Sequence, residues 1–317
     1  MRRWLAMGAL ASAAGLWGLM YVVSRYALAQ VPALPLVIMR IVISLAVLAP
    51  FAIRARFWRV TWRQLWRLAL IGLAGYTASL SLQFIGTALT SASLGSLITS
   101  ASPALVVLFA AIGGERPTRR ALLALAIALA GVALIVGVDV PAGVSWPGAL
   151  ALVGAAATWA LYTALGRTLA HGVPLVTALF WGLLLGGLAA VPLAAPQWPA
   201  LAVMLHYSVT LWLEIFYLGA IAMALAFWLW NYGFAHLPAD VGAVFGLAQP
   251  LVGVALGVTL QHDMLTPLSA LGGAAIIAGA ALAGLGGRRA APAPADRGAP
   301  VAAPGMNEPV TLDATQE

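Results

Sequence analysis

Chemistry in this chain has to come from a small set of polar and aromatic side chains set inside long apolar runs. Trp17, Tyr21 and Ser24 are spaced i, i+4, i+7, and Trp159, Tyr162 and Thr163 form a similar group later in the chain. Such spacings put side chains on one face of a helix. Tyr76 and Gln83 also share one face. Trp228, Trp230, Asn231 and Tyr232 cluster, and Gln249 stands beside Pro250. One run is rich in hydroxyls: Ser91, Ser93, Ser96, Thr99, Ser100 and Ser102. Rings supply stacking area and cation–π attraction, and amides fix orientation. Converging at one depth, these groups would suit an uncharged or zwitterionic amphipathic solute better than a bare ion. The expectation is one central space lined by Trp17, Tyr21, Tyr76, Gln83, Ser100, Trp159, Tyr162, Trp228, Asn231 and Gln249. Bland alternatives stand beside it. Trp230 and Tyr232 suit an interfacial aromatic belt equally well. Serine and threonine hydroxyls more often bond back to their own helix or across helices.

Pro103 and Pro250 each remove one backbone hydrogen bond and free a carbonyl. Each reads either as a bent gating helix with a carbonyl facing the lined space or as a static kink. Arg25 and Arg40 are basic residues inside apolar runs. Arg40 lies roughly 7–8 Å below the outer boundary at 1.5 Å per residue. It can snorkel outward, or it binds helix-end carbonyls or a substrate carboxylate, and it is counted with the residues expected to line the cavity. Arg25, nearer a span end, reads as an anchor.

Acids and histidines inform by their positions. Glu214, Asp240, His171, His206, His236 and His262 all fall at loops or span ends. Relays that carry protons place such groups at mid-membrane, so no proton site is assigned, and Glu214 and Asp240 are the remaining candidates. Serines have no deep histidine to activate them. P-loop, Rossmann and metal-cluster signatures are absent, and with no Cys there is no thiolate chemistry. The reading is a non-enzyme with no cofactor and no metal.

The elements that must position these residues follow from composition. Of 317 residues, 63% are hydrophobic and 8% charged, whereas a soluble domain carries about 25% charge. That excludes a soluble enzyme, a disordered chain and, despite a net charge of +7, a nucleic-acid binder. Apolar runs at about 4–30, 33–53, 68–88, 92–113, 119–138, 148–167, 174–194, 210–234, 241–261 and 267–286 are each near the ~20 residues a spanning helix takes. The fold class is therefore all-α integral membrane with ten transmembrane helices, its partners a lipid bilayer and a small solute, and a monomer suffices. Met1-Arg2-Arg3 before an apolar run resembles a signal peptide, but the run outlasts a typical signal core and reads as a retained span. Residues 288–317, rich in Ala and Pro, read as a disordered tail.

All 16 basic residues are Arg. Apart from Arg25 and Arg40, they fall on one side when spans alternate. By the positive-inside rule both termini are then cytoplasmic, in a cell inner membrane. The stretch Arg54 to Arg67, with Phe57, Trp58, Trp62 and Trp66 interleaved, reads as an interfacial helix touching anionic headgroups.

The chain repeats itself. Gly95 to Pro103 aligns with Gly242 to Pro250 at an offset of 147, Trp17 and Arg25 align with Trp159 and Arg167, and Pro35-Leu36-Val37 aligns with Pro174-Leu175-Val176. Residues 1–140 and 141–287 thus form two five-span units. An odd span number inserts the second unit from the opposite side, giving inverted repeats with a site at their interface. Gly242/Gly246 and Gly253/Gly257 mark close helix contacts.

Leu16-Trp17-Gly18, Arg40, Ser102-Pro103 with Gly114-Glu115-Arg116-Pro117-Thr118, and Gln249-Pro250 followed by Asp263 and Thr266 resemble EamA-type transporters of the drug/metabolite transporter superfamily. The resemblance covers residues 4–286. It implies a ten-helix secondary carrier, usually an exporter of small metabolites such as amino acids, working by alternating access. Helices 1–4 and 6–9 would line the cavity, with helices 5 and 10 peripheral. A passive facilitator and a non-transporting scaffold are the other readings. Asp263 stands where the family usually has Glu, and as a loop acid it reads as structural.

Overall fold

The computed structural model describes residues 2–114, 116–137, 145–170, 172–202, 206–237 and 245–285. Among the described residues there is no strand. Lipid offers no partner to a backbone N–H or C=O, so apolar runs of this length must pair those groups within their own helix. The helices are α1 (Arg2–Leu28), α2 (Ala33–Arg54), α3 (Trp62–Leu89), α4 (Ala92–Thr99 and Ser102–Ile112), α5 (Arg119–Gly137), α6 (Trp146–Leu169), α7 (Leu175–Ala194), α8 (Val209–Phe216, Tyr217–Leu225 and Ala226–His236), α9 (Ala248–Gln261) and α10 (Pro267–Leu285). A 3-10 turn and the short helix Pro199–Ala202 link α7 to α8. Among the described residues eight helices, α1 to α8, are long and apolar enough to cross a membrane, while α9 and α10 are apolar but shorter. Residues 241–244 of the expected ninth span, Glu115, His171, Asp240 and the tail from 288 lie outside the described residues.

Side-chain caps fix several helix starts. Ser91 accepts from Leu94 N at 3.2 Å, Ser145 from Gly148 N at 3.1 Å and Ser208 from Leu211 N at 3.2 Å. Thr61 makes a capping box: its hydroxyl accepts from Gln64 N at 3.3 Å, and Gln64 Oε1 accepts from Thr61 N at 2.8 Å. Each cap contributes about 1 kcal/mol. This box corrects one expectation. The basic, Trp-rich stretch is not an interfacial helix of its own. Its first half is the turn after α2, and from Trp62 it runs straight into α3, with Trp62 and Trp66 exposed.

Two helices widen internally. Leu73–Ser79 in α3 and Tyr217–Leu225 in α8 are π-helical. The i→i+5 pattern shifts side chains around the helix and often marks functional positions. The packing has a reciprocal pattern. α1 packs on α8 and α9, and α6 on α3 and α4; α2 packs on α8, and α7 on α3. α2 also meets α7, α4 meets α9, and α5 meets α10. The principal buried cluster joins Met20 and Tyr21 of α1, Leu36 of α2, Tyr76 and Phe84 of α3, Leu179 of α7 and Leu218 of α8.

Candidate functional site

Tyr21 is the node of the interior. It is 1% exposed. Gln83 Nε2 of α3 donates to its hydroxyl at 2.6 Å, and the hydroxyl meets Thr99 Oγ1 of α4. Thr99 in turn donates to Gly95 O at 2.6 Å. The donors run in one direction: Gln83 to Tyr21, Tyr21 to Thr99, Thr99 to a backbone carbonyl. Gln249 of α9 brings its side chain toward the same phenol, and its carbonyl accepts from Ser96 Oγ at 3.3 Å. A buried amide without a partner costs about 2–7 kcal/mol depending on reference state, so this chain is what allows Gln83 to sit in the interior.

Aromatic rings line the junction between the chain's halves. Trp17 lies 5.3 Å from Phe227 and 5.0 Å from Trp230, centroid to centroid. Its indole N–H donates to Ala222 O, inside the π segment of α8, at 2.9 Å. Trp159 lies 4.8 Å from Tyr162 and 6.0 Å from Phe227. Tyr76 and Tyr162 join hydroxyls at 3.0 Å. The Tyr162 ring lies so close to Gly75 that a Cβ there would collide with it. Phe227 therefore touches both Trp17 and Trp159.

Arg40 is 2% exposed. Its Nη2 points at Met20 Sδ, 3.5 Å away, and its guanidinium lies 4.8 Å from the Phe84 ring centroid. Among the described residues Nε and Nη1 have no hydrogen-bond partner. Of the options open from sequence, snorkelling does not occur and no helix-end carbonyl is engaged. Arg25 does take helix-end carbonyls, its Nη1 donating to Ala88 O at 2.5 Å and Thr87 O at 3.4 Å.

The structure does not bring the remaining expected residues into this group. Trp228 is 55% exposed and stacks on Tyr232 at 5.6 Å; one position along the helix from Phe227, it points away from Trp17. Asn231 Nδ2 bonds back to Phe227 O at 2.8 Å, and Ser100 Oγ to Leu97 O at 2.6 Å. The Ser100 hydroxyl satisfies its own helix, as hydroxyls were expected to, and the Asn231 amide does the same without having been expected to. Pro103 is exposed in the first turn after the break in α4. The carbonyl it would free, that of Thr99, accepts from Ser102 Oγ at 2.6 Å and faces no lined space. Pro250 is buried in the first turn of α9. Ring and missing N–H are both tolerated at such positions, so neither proline kinks a continuous helix.

Sequence reasoning missed Phe227, Phe84, Met20 and Tyr217. Tyr217 donates to Leu16 O at 2.7 Å across the α1–α8 contact. Nothing in its local spacing singles it out; the π segment that begins at Tyr217 sets its direction. The loop acid Asp263 is structural, as expected: its Oδ2 accepts from Ser93 N at 2.8 Å at the start of α4. Beside it a cavity of about 570 Å³ opens, lined by Arg25, Tyr26, Ala29, Leu260, Gln261 and Asp263.

Apolar helices long enough to span a bilayer, closed around a buried polar and aromatic interior, define a multi-pass membrane protein. The profile of the EamA-like transporter family matches residues 4–137 and again residues 146–285, and the chain belongs to that family. A Bacillus subtilis (strain 168) chain named as a permease-like protein, YdzE, is 39% identical over 66 residues, covering 21% of this chain and 85% of that one. One crystal structure shares the fold with a TM-score of 0.59 at 23% identity, over 88% of this chain and 96% of its own. Family membership implies a lipid surrounding and a small-molecule substrate.

Proposed function

We propose that this chain is a secondary carrier that exports small amphipathic metabolites, amino acids or similar solutes, by alternating access. In this reading ten spans form two inverted five-helix repeats, 1–140 and 141–287, in the inner membrane with both termini cytoplasmic. The reciprocal packing supports the repeat: exchanging α1–α5 for α6–α10 turns each contact set into the other. Thr61 and Ser208, both N-caps, and the overlapping π segments stand at the offset of 147 read from sequence.

The observation that carries the functional reading is the polar seam. Trp17 to Ala222, Tyr217 to Leu16, Tyr76 to Tyr162, Thr77 to Gly186 at 2.6 Å, Ser79 to Ala155 at 2.9 Å and Ser96 to Gln249 all join one unit to the other. Alternating access needs an interface of this kind, where two packed bodies can exchange one set of contacts for another.

The test begins with growth rescue against toxic amino acids and analogues in overexpressing cells, followed by counterflow of the rescued solute in proteoliposomes. A carrier shows trans-stimulation. Flux that only follows the gradient identifies a facilitator, and no flux returns the chain to a scaffold. Trp159→Ala is expected to lower exchange roughly tenfold at unchanged folded protein, the loss of about 1.4 kcal/mol of ring contact. Normal exchange by that variant would move the site elsewhere. For topology, reporters fused at His262 and at Arg288 are expected on opposite sides; the same side for both would end the inverted arrangement.

A further inference from the structure

We infer that Arg40 is the counter-charge for a carboxylate on the transported solute, so that the site selects monoanionic or zwitterionic carboxylates over their neutral amides. The inference rests on the carrier reading and names its substrate class. Its basis is a cation that the protein buries without pairing. Arg40 is 2% exposed, and among the described residues two of its three nitrogens find no partner. The third has only a thioether sulfur, a poor acceptor beside oxygen. The ionisable side chains in electrostatic reach are Tyr21 and Tyr217, and phenols are uncharged at neutral pH. Among the described residues the acids are Glu214 and Asp263. Asp263 is spent on the start of α4, and neither acid is paired with Arg40. A buried charge left uncompensated is strongly destabilising, so burying Arg40 in this way has no structural benefit.

The neighbouring hydroxyls point the same way. Ser44, one turn along α2 on the face that carries Arg40, has a buried hydroxyl without a partner. Ser81, one turn before Phe84 on α3, has another. In membrane helices such hydroxyls usually bond back to the preceding turn, and these two do not. Ser44 thus shares a helix face with Arg40, and Ser81 shares one with the Phe84 ring that Arg40 covers. An anion supplies acceptors only, and a carboxylate fits the planar guanidinium fork. Charge selects carboxylate over phosphate monoester: a phosphate group carries about −1.5 to −2 at neutral pH. The chain has no Lys, and Arg25, basic like Arg40 and inside a span, is committed to carbonyls.

The experiment measures thermal stability of the purified full chain in detergent, with phenylacetate and 4-methylpentanoate set against phenylacetamide and 4-methylpentanamide, and inorganic phosphate as a third arm. Each acid and its amide match in shape and differ in charge. The expected result is stabilisation by the acids, with apparent affinity at least about tenfold above the amides, as hydrogen bonds to a charged group imply. Arg40→Gln is expected to remove that preference while melting no lower than the unliganded wild type, since it deletes an unpaired charge; Arg40→Lys is expected to keep part of the preference. Equal effects of acid and amide, no effect of either, or an acid preference surviving in Arg40→Gln overturns the inference. So does a preference for phosphate, or an Arg40→Gln protein that melts well below wild type. Counterflow separates the two readings: exchange indifferent to the carboxylate sinks this inference and spares the carrier, whereas acid binding through Arg40 without exchange does the reverse.

Discussion

Gly131→Leu is expected to abolish recovery of folded protein, while Gly8→Leu leaves it unchanged. At the α5–α10 crossing, a Cβ on Gly131 would stand 2.5 Å from Gly272 O and 2.9 Å from Ile276 N, and one on Gly272 would stand 2.7 Å from Gly131 O. Those atoms are backbone, which cannot swing aside, so the two helices must separate. Overpacking a close contact costs about 1–3 kcal/mol, and more where backbone must move. Between membrane helices little replaces the lost packing, because lipid is as apolar as the side chains. A Cβ on Gly8 in α1 meets nothing within 4 Å. As Leu forms helix better than Gly by up to about 1 kcal/mol, that control carries no penalty. Size-exclusion profiles after stepped heating read both. Gly131→Leu protein that elutes and melts like wild type would mean that α5 and α10 are not held by this crossing.

The interior was legible where physics forces a polar group to find company. Gln83 and Tyr21 stand in apolar runs, and hydrocarbon leaves an amide only another helix or water. Trp17 and Trp159 were singled out together because the sequence aligns them, and Phe227 touches both. Composition alone led astray at Trp228 and Asn231. An aromatic-rich helix segment has two faces, and the spacing of Trp228, Trp230, Asn231 and Tyr232 does not say which one turns inward. The π segments decide such directions, and no residue type announces them. Hydroxyls were illegible for a related reason: Ser100 can always reach its own helix, so its identity carries no information about a neighbour. Prolines misled through depth. Pro103 looked central by sequence, but α4 breaks just before it, where its missing N–H costs nothing. Arg40 was legible as an anomaly, but its burial and its lack of a carbonyl partner among the described residues could be seen only in the structure.

Tyr21→Phe is expected to destabilise the protein more than Gln83→Leu, and the two together less than Tyr21→Phe alone. The order follows from the direction of the hydrogen bonds. Tyr21 accepts from Gln83 and contacts Thr99, which has its own acceptor at Gly95 O. Removing the phenol oxygen takes away the acceptor of the half-buried Gln83 amide, at up to about 1–3 kcal/mol, the figure for an unsatisfied buried donor. Removing the amide instead leaves Tyr21 still bonded to Thr99, so the loss stays nearer the ~1 kcal/mol of one hydrogen bond. In the double variant the Gln83 amide is gone and an apolar group of similar size replaces it, so that part of the loss is recovered, while Gln249 still loses its contact with the phenol. Contacting residues in one network couple by about 0.5–3 kcal/mol, against near-additivity for independent sites. Thermal midpoints of the four proteins, wild type included, form the cycle. If the double variant falls by the sum of the single losses, Gln83 draws its partner from elsewhere. Transport separates the structural role from the functional one. A purely structural pair predicts exchange that recovers with stability in the double variant. A pair that also orients the solute predicts a double variant as stable as its neighbours in the cycle and still deficient in counterflow, and that is the expected result.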